Sequence, residues 1–385
     1  MPFGIYVHIP YCVTKCPYCD FNSYAVGSKF PEIEYTDSLL QELELYRDDI
    51  TGTEITSIFF GGGTPSLFDP LSIERIISRI YEITSPRENI EISLEVNPKT
   101  ADLDKLIGLR SAGINRISVG VQSFSERKLN FLGRINSPED SRRILKDIVQ
   151  AGFENYSMDL MYGTKDETFS EWHNDLNYAL TFDYPHISAY CLTIEDGTEF
   201  GRRYALGKLK VPSDDRLTEF ITYTTDFLEA SGYNQYEISN YAKEGSECAH
   251  NMLYWKGDSY LGIGAGSHSH FSMDNSSLWG ERWANLRSPA LYMKSVQDGD
   301  KPLDFTEQLN RDEVVQDKVL MGLRLKEGIN ISELEAKFEL NTDMNKIGRL
   351  VDDGFLENTN SSFRLTKKGT LLSNAVILKF VEALS

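Results

Sequence analysis

Three cysteines near the start of the chain are spaced so that they could hold one metal centre. Cys12, Cys16 and Cys19 form the pattern C-x3-C-x2-C directly after the apolar run GIYVHIP. Iron–sulfur clusters are normally held by cysteine thiolates, and three thiolates on a 4Fe–4S cluster leave its fourth iron without a protein ligand. A metal site that reacts is one that keeps an open position. The spacing therefore favours a cluster with a role in chemistry.

A zinc site is the second interpretation of the same three cysteines. A structural zinc ion is coordinated tetrahedrally, so three thiolates would need one more ligand. His8 and Cys248 are side chains that could complete such a site. The spacing alone leaves the cluster and the zinc site open as alternatives.

Length and composition indicate a globular protein with room for a barrel-sized domain and a smaller one. Of its 385 residues, 41% are hydrophobic and 25% are charged. Five cysteines, with no secretory leader and no long apolar run, predict a cytoplasmic protein without disulfides or a membrane span. The formal net charge of −19 opposes nucleic-acid binding, which depends on clustered lysine and arginine. An RNA-modifying function would therefore need a local basic surface.

Strand patterns alternate with amphipathic helical patterns through the first half of the chain. One helix has clear boundaries, with Ser137 as N-cap, Pro138 at the first helical position and Gly152 past the end. Alternation of this kind predicts repeated βα units with parallel strands, and six units predict a partial (β/α)6 TIM-like barrel. The predicted strands end at Ile9, Phe60, Val96, Val121, Tyr162 and Leu192.

Polar residues and glycines cluster where these strands end. Parallel barrels build their active sites at the carboxyl ends of the strands, so this distribution predicts one site on one face of the barrel. After the cysteines come Gly61, Gly62, Gly63, Thr64 and Pro65 behind the second strand, Glu95 and Asn97 at the third, Gln122 at the fourth, and Asp159 and Gly163 at the fifth.

The cysteine loop with its internal aromatic residue, followed by GGGTP, resembles the radical S-adenosylmethionine (SAM) superfamily. In that superfamily SAM chelates the open iron, and an electron from the cluster cleaves it to a 5'-deoxyadenosyl radical. The resemblance implies a 4Fe–4S cluster held by Cys12, Cys16 and Cys19, and SAM as the second cofactor; it identifies no catalytic residue. The SAM-binding residues that it implies are Tyr6, Tyr18, Gly62, Gly63, Thr64, Glu95, Gln122, Arg134 and Asp159.

A second motif lies in a segment rich in aromatic residues, glycine and histidine, which also contains His268 and His270. The run HNMLYW resembles the H-N-x-x-Y-W motif of heme chaperones. An imidazole can ligate heme iron, and aromatic rings can cover a porphyrin face. The resemblance therefore implies a heme site formed by His250, Asn251, Tyr254 and Trp255.

The sequence predicts three regions. Residues 1–240 form the barrel with the cluster loop, residues 241–300 form a connecting segment with the HNMLYW motif, and residues 301–385 form a smaller C-terminal α+β domain. Near the end of the chain GFLENTNSSFRLT predicts a hairpin, and helices followed by a hairpin predict a winged-helix-like fold. Its acidic balance favours a lid or a partner-docking module over DNA binding.

The resemblance covers the whole chain and includes two branches, oxygen-independent coproporphyrinogen III oxidases and heme chaperones. The oxidases carry a fourth cysteine two residues after the third, where this chain has Phe21, and a long extension before the cluster, whereas Cys12 lies near the start here. With HNMLYW, these departures favour a heme chaperone that binds heme and transfers it to apo-heme proteins.

The alternative within the family is oxidative decarboxylation of coproporphyrinogen III. That reaction would need cations to hold the substrate propionates, and Arg116, Arg134 and Arg202 are candidates. The resemblance leaves open whether SAM is cleaved. It is compatible with a homodimer and with peripheral contact with membrane-bound heme acceptors.

Overall fold

The computed structural model describes residues 2–27, 29–273, 278–359 and 362–384. Its strands are β1 (Phe3–Ile9), β2 (Tyr11–Cys12), β3 (Tyr24–Ala25), β4 (Glu54–Gly62), β5 (Ser85–Val96), β6 (Arg116–Gln122), β7 (Asn155–Tyr162), β8 (His186–Cys191), β9 (Asn234–Gln235), β10 (Asn240–Ala242), β11 (Ser259–Ile263), β12 (His268–Ser272), β13 (Gly280–Asn285), β14 (Leu303–Leu309), β15 (Leu356–Thr359) and β16 (Ser362–Leu365).

A short 3-10 turn covers Pro65–Leu67, directly after β4. The α-helices are α1 (Glu32–Leu45), α2 (Arg47–Ile50), α3 (Pro70–Ile83), α4 (Leu103–Ser111), α5 (Glu126–Phe131), α6 (Pro138–Gln150), α7 (Phe169–Leu180), α8 (Glu199–Ala205), α9 (Asp214–Ala230), α10 (Ala249–Lys256), α11 (Pro289–Gln297), α12 (Arg311–Gly322), α13 (Ile331–Phe338), α14 (Met344–Asp352), α15 (Lys367–Leu371) and α16 (Ser373–Val381).

One large sheet organises the molecule. Its strand order is β14-β13-β12-β11-β1-β4-β5-β6-β7-β8-β10-β9 within the described residues. The six predicted strands are β1 and β4 to β8, and they pair in parallel and in chain order. The partial (β/α)6 barrel predicted from the sequence is therefore confirmed, and the two ends of the sheet are not paired with each other.

Strand β1 shows how the barrel separates core from site. Ile5, Val7 and Ile9 are fully buried members of the main apolar core. Because successive side chains of a strand point to opposite faces, Tyr6 and His8 share the other face, where the Tyr6 hydroxyl lies 3.0 Å from His8 Nδ1. The apolar face of β1 packs into the core, and its polar face is available to line a functional site.

The predicted helix boundaries at α6 are confirmed. The Ser137 hydroxyl accepts a hydrogen bond from the Asp140 amide at 3.1 Å, and the Asp140 carboxylate accepts one from the Ser137 amide at 2.9 Å. This capping box satisfies two amides that the first helical turn leaves unpaired. Gly152 follows the helix with a φ of 87°, a conformation that glycine adopts without strain.

The sheet continues past β1 through strands of the predicted connecting segment and ends at β14, which lies in the range predicted for the C-terminal domain. Strand β11 pairs in parallel with β1, and β12 to β14 follow as antiparallel strands. Glycines and polar residues interrupt the apolar pattern there, so the hydrophobic periodicity of the sequence does not reveal these short strands. The division into three regions stays a prediction.

The C-terminal part has an apolar core of its own, formed by residues between Leu309 and Ala383. Helices α12 to α16 surround the antiparallel pair β15–β16, as the α+β prediction requires. Two predicted turn residues, Asn360 and Ser361, lie outside the described part of the chain. This part contacts helix α9, because the Lys367 ammonium lies 2.7 Å from Asp226 and 3.0 Å from Glu229.

A buried carboxylate joins helix α1 to the loop after β11. Glu42 accepts hydrogen bonds from the Gly264 amide at 2.8 Å, the Asn285 amide group at 2.5 Å and the Tyr292 hydroxyl at 2.5 Å. We call this group the Glu42 clamp. Burial raises the pKa of Glu42 to about 7, although all three donors favour the carboxylate. The clamp fixes the loop that leads into β12.

We expect Glu42→Gln to change how stability depends on pH. The pKa of Glu42 is about 7 in the folded chain and the ordinary 4.5 in the unfolded chain. The contribution of Glu42 to the free energy of unfolding is therefore fully present below pH 4.5 and is lost as pH rises through 7. Urea unfolding at several pH values should show the wild type losing on the order of 3 kcal/mol relative to the variant across this interval. Parallel profiles for the two proteins would contradict the buried titration.

Candidate functional site

The cysteine loop is held at both ends by backbone pairing. Strands β2 and β3 pair in parallel, so that Cys12 lies beside Ala25. The Tyr24 amide donates to the Pro10 carbonyl at 2.7 Å, and the Val26 amide donates to the Cys12 carbonyl at 2.9 Å. These bonds close the loop and bring its three thiols to the carboxyl end of the barrel.

The three thiols line one cavity of about 380 Å³, which we call the cluster cavity. Cys12 is buried, while Cys16 and Cys19 are half-buried. The Thr64 hydroxyl lies 3.4 Å from the Cys12 sulfur, and an Arg134 nitrogen lies 3.8 Å from the Cys16 sulfur. Three soft thiolate donors beside open space fit a 4Fe–4S cluster with one free iron position.

The glycines after β4 allow the backbone of that strand to touch the cysteine loop. The Gly63 amide donates to the Ile9 carbonyl at 2.7 Å, and a Cβ at Gly63 would lie 2.7 Å from the Tyr11 carbonyl oxygen. At Gly62, with a φ of 110°, a Cβ would meet the His8 ring at 2.5 Å. Contacts within the protein therefore require that these two positions carry no side chain. Both glycines also line the cluster cavity.

Two carboxyl groups face the interior of the cluster cavity. Glu95 accepts a hydrogen bond from the Gly62 amide at 3.2 Å, and Asp159 accepts one from the Ser118 hydroxyl at 3.2 Å. Burial, and then the negative charge of Asp159, raise the pKa of Glu95 to about 8. Burial also raises the pKa of Asp159. A cationic group bound between them would favour ionisation of both.

Backbone strain marks the end of β6. Gln122 has a φ of 65°, and the register with β7 shifts between Gly120 and Gln122. Arg134 donates to the Gly120 carbonyl at 2.7 Å and so fixes this irregular turn. Bulges and left-handed residues are common at sites where a strand must redirect a side chain.

The structure brings most of the predicted SAM-binding residues together. Tyr6 is the exception, because it lines a neighbouring cavity instead. Asn97, which the strand-end pattern placed at this face, also lines the cluster cavity; Met161, Tyr190, Cys191 and Thr193 line it too and were not predicted, although all lie at or near strand ends. The predicted residues in the cluster cavity are Tyr18, Gly62, Gly63, Thr64, Glu95, Gln122, Arg134 and Asp159.

The neighbouring cavity, of about 520 Å³, is lined by three histidines, and we call it the histidine cavity. It shares Phe21, Gly62 and Glu95 with the cluster cavity. Phe21 is 59% exposed, which is high for a phenylalanine. The sequence did not indicate that Phe21 lines a cavity, because Phe21 was recognised there only as a departure from the oxidases. The histidines are His8, His268 and His270.

The HNMLYW motif forms most of helix α10. His250 is fully buried, with Nδ1 2.8 Å from the Ser57 hydroxyl and Nε2 2.8 Å from the Tyr254 hydroxyl. Burial, and then the charge of Arg116, lower the pKa of His250 to about 3, so the ring is neutral. Asn251, Tyr254 and Trp255 line a third cavity of about 530 Å³, and Tyr254 also lines the histidine cavity.

The side chains proposed to complete a zinc site are engaged elsewhere. Both ring nitrogens of His8 have partners, the Tyr6 hydroxyl and the Asn22 carbonyl at 2.9 Å. The buried Cys248 sulfur lies 3.5 Å from a carboxylate oxygen of Glu91. Neither residue lines the cluster cavity. In the described ranges, no three His, Cys, Asp or Glu side chains are arranged for a single metal ion.

The three arginines proposed to hold propionates lie in different surroundings. Arg134 lines the cluster cavity. Arg116 is buried, with its Nε 3.8 Å from Glu91, and does not line that cavity. Arg202 is a surface residue, 71% exposed and paired with Glu199 at 2.5 Å. Only Arg134 is therefore placed to meet a ligand there.

Helices long and apolar enough to cross a membrane were sought among the described residues, and none was found.

Profiles of two known families match the chain. The Radical SAM superfamily matches residues 6–179, and the HemN C-terminal domain matches residues 309–372. The first match covers the predicted cluster loop and strands β1 to β7, and the second covers helices α12 to α14 and the pair β15–β16.

Several curated relatives match along nearly their whole length. Heme chaperone HemW of Haemophilus influenzae is 36% identical, over 99% of this chain and 98% of the relative. Heme chaperone HemW of Escherichia coli is 35% identical with the same coverage, and that of Bacillus subtilis is 32% identical over 98% and 99%. Among solved structures, coproporphyrinogen III oxidase (HemN) of Escherichia coli matches with a TM-score of 0.84, 25% identity, and coverage of 98% and 90%.

We expect Gly63→Ala to destabilise the protein, because the new Cβ would press on carbonyl oxygens that cannot move without opening the cysteine loop. Overpacking of this kind costs roughly 1–3 kcal/mol. Urea unfolding measures the loss. Gly348→Ala is the matched control, since a Cβ there meets nothing within 4 Å and α14 should gain about 0.5–1 kcal/mol. Equal stability of the two variants would contradict the tight contact at Gly63.

Proposed function

The chain belongs to the HemW family of radical SAM proteins, and on this basis we propose that it binds heme and transfers it to apo-heme proteins. The observation that carries the proposal is identity of 31–36% over at least 98% of the chain to relatives named heme chaperone HemW. Phe21, which replaces the fourth cysteine expected of an oxidase, supports the chaperone over the oxidase.

The proposal includes a 4Fe–4S cluster held by Cys12, Cys16 and Cys19. When bound, the cluster and SAM supply one-electron chemistry, which belongs to the cofactors and not to the protein. The protein binds and orients them. Glu95 and Asp159 would hold cationic or hydroxyl groups of SAM, while Gln122, Arg134 and the backbone at Gly62 to Thr64 would hold its remaining polar groups.

The HNMLYW motif contributes to heme binding by presenting Asn251, Tyr254 and Trp255 to the cavities between barrel and C-terminal region. His250 acts on Tyr254, because its Nε2 is bonded to the Tyr254 hydroxyl. Direct ligation of iron by His250 would require that bond to break. The aromatic rings supply flat apolar surface suited to a porphyrin.

The partners implied by this function are heme and an apo-heme acceptor. A net charge of −19 supports the exclusion of nucleic acid, since phosphates are repelled. Contact with membrane-bound acceptors and formation of a homodimer stay predictions.

Serine substitution of any one loop cysteine, Cys12, Cys16 or Cys19, should abolish 4Fe–4S absorption after anaerobic reconstitution. A hydroxyl is a poor ligand for iron in such clusters, which take thiolates. Absorption in the visible range and iron content measure the outcome. Cys191→Ser is the matched control, because Cys191 lines the same cavity outside the loop and should leave the cluster intact. A cluster that survives all three loop substitutions would refute the assignment.

Heme titration of the reconstituted protein tests the function itself. We expect a saturable Soret change at about one heme per chain, as a pocket of defined size requires. His250→Ala removes the bond to Tyr254 and should weaken binding by about 1 kcal/mol, roughly fivefold in affinity. Mixed with an apo-globin, the loaded protein should restore the globin spectrum.

The control for transfer is free heme at the same concentration with the same apo-globin. Absence of saturable binding, combined with decarboxylation of coproporphyrinogen III by the reconstituted protein, would establish the oxidase instead.

A further inference from the structure

Strand β12 presents two histidines to the histidine cavity. All four residues of the run Ser267 to His270 line this cavity, but their exposure alternates along the chain. Ser267 and Ser269 are each 2% exposed, whereas His268 is exposed and His270 is half-buried. The buried serines therefore anchor the run, and the histidines are its more accessible side chains.

The three histidines of this cavity differ in what their ring nitrogens contact. Both nitrogens of His8 are hydrogen-bonded, as described above. His270 Nδ1 lies 3.3 Å from the Asp258 carbonyl oxygen. His268 is exposed, and neither of its nitrogens has a hydrogen-bond partner among the described residues. Its ring packs in a T-shaped arrangement with Phe305, with centroids 5.9 Å apart.

The backbone that carries His268 is nevertheless fixed. The Ser269 hydroxyl accepts from the Gly262 amide at 2.9 Å, and the Ser267 hydroxyl donates to the Gly264 carbonyl at 2.8 Å. The Glu42 clamp holds the same loop from the other side through Gly264. A rigid backbone with an unengaged side chain is the arrangement expected of a preorganised ligand.

The other walls of the cavity offer apolar surface to a flat molecule, and the charged walls carry Glu95, Asp258 and Asp317 as well as Arg282. Phe21, Tyr254, Tyr260 and Met321 supply the apolar surface. Arg282 lies in the wall, bound to Glu307 and Asp317. Arg287 lies close enough to His268 that its charge, after burial, lowers the pKa of the imidazole. The ring is thus neutral, as ligation requires.

We propose that His268 is the axial ligand of heme iron bound in the histidine cavity. This inference rests on the proposed heme-binding function and assigns its site. Phe21 and Tyr254 would lie against the macrocycle. Because the cavity shares Phe21, Gly62 and Glu95 with the cluster cavity, heme and the cluster cofactors would occupy adjoining spaces.

Heme titration of the full chain with His268→Ala, compared with wild type, tests the proposal. We expect the variant to show a shifted Soret band, a changed electron paramagnetic resonance spectrum of ferric heme, and affinity lower by roughly tenfold or more. Added imidazole should restore the wild-type spectrum, which a general loss of packing would not allow. His270→Ala is the comparison variant, because the contact of its Nδ1 with a carbonyl oxygen leaves Nε2 available; we expect it to keep the wild-type spectrum, and loss of the axial signature in His270→Ala instead of His268→Ala would overturn the assignment.

The outcomes separate this inference from the function on which it rests. Saturable heme binding by wild type with an unchanged spectrum and affinity in His268→Ala would overturn the inference and leave the function standing. Loss of the axial signature in His250→Ala, with the signature kept in His268→Ala, would also overturn the inference. Absence of heme binding by wild type would refute both. Tyr260→Ala should weaken binding while keeping the axial signature, which locates heme in this cavity even if His268→Ala folds poorly, because Tyr260 lines the histidine cavity and neither of the other two.

Discussion

The close contact between the glycine turn after β4 and the start of the cysteine loop is the constraint on which the site depends. The Gly63 and Thr64 amides donate to the carbonyls of Ile9 and Tyr11 at 2.7 and 2.9 Å. Through this contact the Thr64 hydroxyl reaches the Cys12 sulfur, and the Gly62 amide reaches Glu95. A side chain at residue 63 would separate the loop from the barrel, and these polar contacts would be lost.

Two cavities with different chemistry result from this arrangement. The cluster cavity holds thiols and recessed carboxyl groups at the carboxyl ends of the strands, where parallel barrels place reacting groups. The histidine cavity has aromatic walls and the imidazole of His268, whose nitrogens have no hydrogen-bond partner in the described part of the chain. Phe21 stands between them, at the tip of the cysteine loop. A large apolar ligand in one cavity would therefore lie next to the cofactors in the other.

Buried charges attach the added strands and helix α10 to the barrel. Glu91 accepts hydrogen bonds from the Ala249 and His250 amides at 3.0 and 3.2 Å, which ties the start of α10 to strand β5. The Glu42 clamp does the same for the loop before β12. Both carboxylates are buried, and leaving a buried acceptor without its donors costs free energy, so both attachments stabilise the folded chain. They convert a radical SAM barrel into a scaffold for a second cavity.

Much of this protein could be predicted from the sequence. The cysteine spacing, the strands ending near Phe60 and Val96, and the capped helix after Ser137 are local patterns, and local hydrogen bonding and alternation decide them. Polar residues at strand ends predicted the cluster cavity, because parallel strands share one edge.

Tertiary structure alone decided the rest. HNMLYW appeared as a motif, but only packing against β4 shows that His250 points inward to Ser57, while His268, without any motif, faces a cavity. Tyr6 likewise fell in the second cavity because the strand pleat turns it beside His8. These outcomes depend on contacts between residues that lie 193 positions (Ser57 and His250) and 256 positions (β1 and β11) apart in the chain, and no local periodicity encodes which strand edge a segment will join. The sequence by itself determined the cluster loop and the barrel; tertiary contacts determined which histidines line a cavity beside the cluster loop.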